Sequence, residues 1–177
     1  VTNGSVLVTK PETGEILAMI GSKNYFDLEH DGQVNLTTAL RQPGSSIKPI
    51  NYALAIENGL SVNTILKDEP VTFNVIGTGL WSPKNYDGQF HGYVTLRNAL
   101  ANSYNIPAVL LLARNGIKNM AELGKKMGIS TWNDESRFGL SLTLGSLETK
   151  MTDMAVAYGT FANQGVTVPL NPFLKIE

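Results

Sequence analysis

The chain has 177 residues, with 14 Lys and Arg against 15 Asp and Glu, two His and no Cys. Because 42% of the residues are hydrophobic and 16% are charged, there is enough apolar surface for a core, and we expect one domain over 1–177. The near-neutral charge excludes bulk attraction of nucleic acid or an anionic membrane, and the lack of Cys excludes thiol catalysis, disulfide scaffolds and zinc ribbons.

The first 60 residues predict a β-hairpin, a polar segment and a helix. Residues 5–20 contain two apolar runs around Pro11–Gly14, which is typical turn chemistry. Both runs are apolar on both faces, as in a sheet that helices cover on each side. After the irregular segment 21–44, helical spacing begins at Ile47 and continues to Glu57.

The middle of the chain predicts a long loop and then short helices. Residues 60–93 read mostly as loop, with one strand over Val71–Val75. Thr95 can cap a helix that runs through Ala101, and Pro107 suits the first turn of a helix that ends near Gly116.

The last third predicts two more helices and the start of a strand. Asn119 and Glu122 have the spacing of a capping box, for a helix that ends near Gly128. Residues 151–162 place Met and aromatic side chains at helical spacing, which indicates a face that packs into the core. A new strand is expected to open at Val166. These elements predict an α+β fold whose sheet has too few strands for its helices, so we expect further strands C-terminal to the chain or a longer protein.

One pair of residues has the spacing of a nucleophile and its base. Of the eleven Ser residues, only Ser45 has a Lys, Lys48, three positions later, and both follow a Pro-Gly at the start of the predicted helix. One helical turn would place them on the same face, and a Lys with a lowered pKa can activate a hydroxyl. From spacing alone we favour the structural interpretation, in which Ser45 caps the helix and Lys48 is solvated.

A second candidate group lies between two predicted helices. Ser-x-Asn occurs three times, so the pattern itself indicates nothing, but Ser103 and Asn105 occupy a tight link that could point polar side chains into a cleft. Capping and turn chemistry explain the same residues equally well. His30 and His91 have no metal or triad spacing, and we assign them to loop polarity. Trp81, Tyr86 and Tyr93 could line a groove.

Several long segments, in order, resemble the transpeptidase domain of class A penicillin-binding proteins. Arg41–Pro49 reads RQPGSSIKP, which is similar to the first motif of that family. Thr13–Gly21 is similar to the opening hairpin, and Asn85–Val109 to the region of the second motif. Leu144–Ser146 and Ala157–Gly165 are similar to a later helical region.

The resemblance implies the serine β-lactamase and penicillin-binding transpeptidase fold, an antiparallel sheet flanked by helices. It implies that Ser45 is the nucleophile, Lys48 its base, Ser103 a proton relay and Asn105 a substrate-binding residue. It also implies a D,D-transpeptidase that cross-links peptidoglycan stem peptides ending in D-Ala–D-Ala, with β-lactam antibiotics as covalent inhibitors. No cofactor, metal or nucleic acid is expected.

One departure from the family concerns its third motif. Lys is nowhere followed by Thr-Gly or Ser-Gly, so the strand that recognises the substrate carboxylate is absent. We therefore expect an incomplete transpeptidase domain, with the hairpin at 5–20 and the helical part and first two motifs at 41–165. The missing strands would come from the rest of the protein or a second chain, and the isolated chain would be a poor enzyme. The resemblance places it at the extracytoplasmic face of the bacterial cell membrane, with its anchor on other sequence.

Three alternatives remain open at this point. A D,D-carboxypeptidase or a β-lactamase would use the same first two motifs, and a class A β-lactamase adds a Glu after the second motif to activate water. Asp134 and Glu135 fall in that region but lack the expected Glu-x-x-x-Asn pattern. The third alternative is a non-catalytic sensor or scaffold that binds β-lactam or glycan without turnover.

Overall fold

The computed structural model describes residues 2–75, 77 and 79–173. They form two compact units, one from Val1–Gln42, Glu122–Asp134 and Leu147–Glu177, the other from Pro43–Ala121 and Glu135–Ser146. The strands are β1 Val6–Lys10, β2 Glu15–Ile20, β3 Ile65–Asp68, β4 Phe73–Val75, β5 Gly79–Trp81 and β6 Gly92–Thr95. The α-helices are α1 Lys48–Glu57, α2 Leu96–Ala101, α3 Asn105–Asn115, α4 Ile117–Lys126 and α5 Met151–Ala162, and 3₁₀ turns occupy Gly44–Ile47, Glu135–Arg137 and Leu140–Leu144.

The predicted hairpin is confirmed in the first unit. Strands β1 and β2 pair antiparallel from Val6 opposite Ile20 to Lys10 opposite Glu15, with an irregularity between Val8 and Thr9. Helix α5 packs against β1. Several apolar residues of the hairpin stay exposed among the described residues, so helices of the described part do not cover both of its faces: Val6, Val8, Leu17, Met19 and Ile20.

Helix α5 has the predicted bounds but a different buried face. Its buried residues are Asp153, Ala157 and Thr160, whereas Tyr158 and Phe161 are more than 40% exposed, so the predicted core stripe is wrong. The cause is polar, because the Asp153 carboxylate turns inward to accept hydrogen bonds from the backbone N–H and hydroxyl of Ser130, at 2.9 and 2.8 Å.

The strand prediction after α5 is also wrong. No strand opens at Val166 in the described residues, where Asn171 makes only an isolated bridge to Glu15.

In the second unit, the first three helices form a shared core. Helices α1, α2 and α3 are confirmed within two residues of their predicted bounds, and the Thr95 hydroxyl caps α2 by accepting a hydrogen bond from the Asn98 N–H at 3.1 Å. The buried residues that join the helices are Tyr52, Ala55, Leu96, Ala99, Ala108 and Leu111. Helix α4 begins before its predicted capping box, because Asn119 Nδ2 donates to the Asn115 carbonyl at 2.7 Å and so does not cap the helix.

The segment predicted as loop contains four short strands. Strand β3 pairs antiparallel with β6, and β4 with β5, so the prediction of a single strand at Val71–Val75 is incomplete. Each strand is only three or four residues long, which is too short for alternating hydrophobicity to be recognised. The pairing of β3 with β6 brings the start of α2 beside the segment that follows α1.

A buried amide network fixes α1 against α3 and the turn at Leu140–Leu144. Asn51 Nδ2 donates to the Ala108 carbonyl at 2.9 Å and to Thr143 Oγ1 at 3.0 Å. Asn115 Nδ2 donates in turn to the Asn51 side-chain oxygen at 2.9 Å. Since an unpaired buried amide is costly, the two bonds that Asn51 donates hold α1 against α3 and the turn in one relative position.

A close backbone approach fixes the turn that precedes α1. Gly145 has φ +76°, in the left-handed region, and a Cβ at this position would overlap the backbone nitrogen and carbonyl oxygen of Gly44. Position 145 therefore requires glycine for conformation and for space.

We expect Gly145→Ala to lower the free energy of unfolding by about 2 kcal/mol or more, since overpacking and a left-handed Cβ each cost on the order of 1–3 kcal/mol. Gly139→Ala is the matched control, because Gly139 has an extended φ of −149° and its Cβ would meet nothing closer than Ser141 Oγ at 4.0 Å. Urea denaturation of both variants measures the difference, and equal stabilities would contradict the steric argument.

Candidate active site

Ser45 lies on a 3₁₀ turn rather than on the predicted α-helix. The turn covers Gly44–Ile47, and α1 begins at Lys48. Pro49 explains the difference, because it has no N–H to offer the Ser45 carbonyl, and the Lys48 N–H one residue earlier donates to that carbonyl instead. The Ser45 side chain is left exposed at the start of the helix.

Lys48 is a buried amine surrounded by oxygen atoms. Its side chain is 1% exposed, and Nζ donates to Ser103 Oγ at 3.1 Å, to Asn105 Oδ1 at 2.7 Å and to the carbonyls of Ser103 and Tyr104 at 2.5 and 3.3 Å. Within the described part of the chain, no hydrogen bond joins Nζ to Ser45 Oγ. Lys48 is therefore the residue that connects the two predicted groups, and it is not solvated.

The protonation of Lys48 is set by two opposing effects. The acceptor oxygens favour the ammonium form, whereas burial removes water and favours the neutral amine. Burial lowers the pKa of Lys48 from 10.5 to about 8. A fraction of the molecules therefore carries a neutral amine near physiological pH, as a general base requires.

Ser103 occupies a strained link between α2 and α3. Its φ of +56° lies in the left-handed region, which a residue with a Cβ rarely adopts. Backbone hydrogen bonds from the N–H of Ser103 to the Leu100 carbonyl and from that of Tyr104 to the Ala99 carbonyl, both 3.0 Å, hold the link. The left-handed residue turns the chain so that its carbonyl and hydroxyl both face Lys48.

Asn105 opens α3 and is held on both sides of its amide. Its Oδ1 accepts the hydrogen bond from Lys48, and its Nδ2 donates to the Lys84 carbonyl at 2.8 Å. This pair of contacts fixes the orientation of the amide at the edge of the site.

A cavity of about 370 Å³ brings most of these residues to one opening. Ser45, Ser103 and Asn105 line it, and Lys48 lies beneath through its contacts with the last two. Among the described residues that line the cavity, Asp87 is the charged one; the remaining members are Asn85, Tyr86, Asn102 and Tyr104. The four predicted site residues are thus brought together in the second unit, and their roles remain predictions.

Three further polar residues support the site, although the sequence did not indicate this role: Asp68, Asn85 and His91. His91, predicted to be a polar loop residue, places Nδ1 2.6 Å from Asp68 Oδ2 and Nε2 3.2 Å from Asp87 Oδ2. Asn85 Nδ2 also donates to Asp68, and Asn85 Oδ1 accepts from the Asn105 N–H at 2.7 Å. The i,i+4 spacing of Asp87 and His91 was the one available sequence signal, and it lies in a loop, where that spacing indicates nothing.

The aromatic groove prediction holds for one of its three residues. Tyr86 lines the cavity, whereas Trp81 packs on Phe73 with ring centroids 6.0 Å apart and Tyr93 lies 5.4 Å from Lys67 Nζ.

Glu135, a candidate for activating water in the β-lactamase alternative, forms an ion pair and does not line the cavity. Glu135 Oε2 is 2.8 Å from Lys118 Nζ, and Glu135 is not among the residues that line the cavity.

Metal-binding clusters and membrane-spanning helices are both absent from the described residues. No group of three or more His, Cys, Asp and Glu side chains could hold a metal ion in the described ranges. None of the helices in that part of the chain is both long and apolar enough to cross a membrane.

Comparison with known proteins identifies the family. A family profile described as the penicillin binding protein transpeptidase domain matches residues 4–176. Penicillin-binding protein 1A of Rickettsia felis is 38% identical over 168 residues, which cover 94% of this chain and 20% of that protein. The chain therefore spans about a fifth of the length of the curated relatives it matches.

Solved structures agree with the profile. Penicillin-Binding Protein 1A from Haemophilus influenzae superposes with a TM-score of 0.84 and 31% identity, over 97% of this chain and 24% of that one. Penicillin-binding protein A from M. tuberculosis, solved as an imipenem acyl-enzyme complex, has a TM-score of 0.77 and 23% identity over 94% of this chain and 48% of that one, which shows the fold alone. The fold is the expected mixture of helices and antiparallel strands, and the chain belongs to the transpeptidase domain family of penicillin-binding proteins.

Proposed function

We propose that this chain carries the acylation site of a serine D,D-transpeptidase, with Ser45 as nucleophile and Lys48 as base. One observation carries the proposal: the buried amine of Lys48 contacts Ser103 Oγ and Asn105 Oδ1, one helical turn from an exposed Ser45 on the same cavity. A lowered pKa and a second hydroxyl beside the amine are the features that proton transfer through a lysine needs.

Acylation then runs through three groups. The neutral Lys48 amine takes the hydroxyl proton of Ser45, and Oγ forms a bond to the carbonyl carbon of the penultimate D-Ala. As the peptide C–N bond breaks, Ser103 passes a proton from Lys48 to the leaving amine of the terminal D-Ala. The Asn105 amide hydrogen-bonds the backbone of the stem peptide.

The second half-reaction uses the same residues in reverse. The amine of another stem peptide attacks the ester on Ser45, and its surplus proton passes through Ser103 to Lys48. Lys48 then returns a proton to Ser45 Oγ as the ester C–O bond breaks, which restores the Ser45 hydroxyl. A β-lactam reacts with Ser45 at the first step. Its ring C–N bond breaks, and the leaving nitrogen stays attached to the adduct. The M. tuberculosis neighbour, solved as an imipenem acyl-enzyme complex, supports covalent capture of β-lactams by this fold. The proposed substrate places the protein at the extracytoplasmic face of the bacterial cell membrane.

We expect a penicillin to form an adduct on Ser45 and not on Ser46. Intact mass after incubation should increase by the mass of one penicillin, and Ser45→Ala should abolish the increase because the attacking oxygen is gone. Ser46→Ala is the matched control, since the neighbouring Ser46 hydroxyl donates to the Pro43 carbonyl at 2.6 Å rather than facing the cavity. An adduct retained by Ser45→Ala, or no adduct even when a segment carrying the missing third motif is supplied, would refute the proposal, and steady penicillin consumption would indicate a hydrolase.

The acylation rate should rise with pH through a midpoint of about 8. Only the neutral amine can accept the Ser45 proton, and burial lowers the pKa of Lys48 to about 8, so the reactive fraction grows from about a tenth at pH 7 to nearly all at pH 9. Labelling by a fluorescent penicillin, stopped at fixed times at each pH, gives the dependence of the acylation rate on pH. Lys48→Ala should react at least about a hundredfold more slowly, and with no rise at this pH. A flat profile in the unmodified protein would remove Lys48 from the base role.

Substitutions of Ser103 should separate strain from chemistry. Ser103→Gly relieves the left-handed φ of +56°, so it should be about 1 kcal/mol more stable than Ser103→Ala in urea denaturation. Both lack the hydroxyl and should acylate about tenfold or more slowly, as expected for loss of a proton relay. Normal acylation by Ser103→Gly would reduce Ser103 to a conformational role.

A further inference from the structure

The N-terminus of α3 is capped from outside the helix. Tyr104, the residue before the helix, makes no side-chain hydrogen bond to the free N–H groups. Asn85 supplies that bond, because its Oδ1 accepts from the N–H of Asn105 at 2.7 Å and approaches that of Ile106 at 3.5 Å. The position of the first residue of α3 therefore depends on a side chain 20 residues earlier.

The Asn85 amide is in turn fixed by a buried carboxylate. Asp68 is 0% exposed, and both of its oxygens accept from Asn85 Nδ2 at 2.8 Å. Asn85 Nδ2 also reaches the Gln89 carbonyl at 2.9 Å. Because a buried carboxylate accepts hydrogen bonds and cannot donate them, it forces the amide to present nitrogen to Asp68 and oxygen to α3.

His91 also contacts the Asp68 carboxylate, and it contacts the link between α2 and α3 through Tyr104. Its backbone nitrogen lies 3.1 Å from Asp68 Oδ2 and its ring Nδ1 lies 2.6 Å from the same oxygen. Its Nε2 lies 3.2 Å from Asp87 Oδ2. Its ring stacks on the Tyr104 ring with centroids 4.0 Å apart and planes 16° apart. His91 therefore holds the residue between Ser103 and Asn105 while it also contacts the carboxylate that orients Asn85.

We propose that Asn85 and His91, both bound to Asp68, are positioning residues that hold the Ser103–Asn105 link around the Lys48 amine. This inference rests on the proposed function, since it concerns the same site. Asn85 supports Asn105 through the backbone and His91 supports Tyr104 through its ring, and both supported residues contribute oxygens to Lys48. Neither residue touches Lys48 or needs to touch substrate.

The chain offers a matched control for a purely structural role. Asn115 is a buried amide of the same unit, 4% exposed against 6% for Asn85, and it also bridges helices through side-chain hydrogen bonds. Its side-chain partners are Asn51, on α1, and Asn58, just after α1, and it does not line the cavity. Asn85→Ala and Asn115→Ala each remove buried side-chain hydrogen bonds, but only the bonds of Asn85 lead to the second motif, and only Asn85 lines the cavity.

The first measurement is the titration of Lys48 itself, followed by NMR at its ¹³Cε in the unmodified protein and in each variant. We expect Asn85→Ala to move the Lys48 midpoint by about half a pH unit or more, because the surrounding acceptors are displaced, and Asn115→Ala to leave it in place. Equal midpoints in all three proteins would overturn the inference. This readout does not depend on acylation, so it separates failure of the inference from failure of the proposed function.

The second measurement is the rate of acylation by a fluorescent penicillin. Each variant is assayed at the same number of degrees below its own midpoint of thermal unfolding. Asn85→Ala should lose about tenfold or more relative to Asn115→Ala, as displacement of catalytic groups by a fraction of an ångström does. If Asn85→Ala does not fold, His91→Ala serves instead, since the ring is partly exposed and its removal takes away both the stack on Tyr104 and the contact with Asp68. An unchanged Lys48 midpoint and rate in His91→Ala would equally overturn the inference.

Discussion

The buried amine of Lys48 is the interaction on which the rest of the site depends. An amine can be 1% exposed only if oxygen atoms replace the water it has lost, and here the link between α2 and α3 supplies all four. The amine therefore needs α1 and α3 in a fixed relation, which the Asn51 amide provides through its bonds to the Ala108 carbonyl and to Thr143. It also needs the link to present two carbonyls and two side-chain oxygens to one point, which ordinary helix-to-helix turns do not do. The left-handed Ser103 is the local solution to that geometric demand.

This arrangement lowers the stability of the fold in order to build the site. Because the folded-state pKa of Lys48 is about 8, below the value of the unfolded chain, the unfolded chain binds the proton more tightly. Burial of Lys48 therefore costs stability below about pH 8, and that cost falls as the pH rises from 8 toward 10.5. The strained φ of Ser103 adds to it. The apolar core around Tyr52, Leu96 and Leu111 must offset both, and it packs directly beneath the link, with Tyr104 at its edge.

The parts of the fold that could be predicted are those with a long local signal. Helices α1, α3 and α5 extend over ten or more residues, so their periods and stop signals define them, and the hairpin has an unambiguous turn at Pro11–Gly14. Strands of three or four residues have no such signal, and the inward face of α5 depends on hydrogen bonds that Ser130 donates to Asp153, which no periodicity reveals. The same limit separates the site residues. Ser45 and Lys48 share one local motif, whereas Asp68, Asn85 and His91 come together across separations of 17 and 23 residues through strand pairing that the sequence did not predict.

Under the proposed function, the chemistry of the four oxygens around Lys48 explains why a hydroxyl stands among them. Three are carbonyl oxygens, two of the backbone and one of the Asn105 amide, and such oxygens accept hydrogen bonds and cannot donate, whereas the Ser103 hydroxyl does both. When Lys48 is an ammonium, its three N–H groups are shared among these four acceptors. When it loses its proton, its lone pair needs a donor, and within this set Ser103 alone can turn to provide one. Deprotonation of Lys48 is thereby coupled to reversal of the Ser103 O–H. That reversal aligns a proton path between the amine and the cavity, while the carbonyls keep the amine in place through both states.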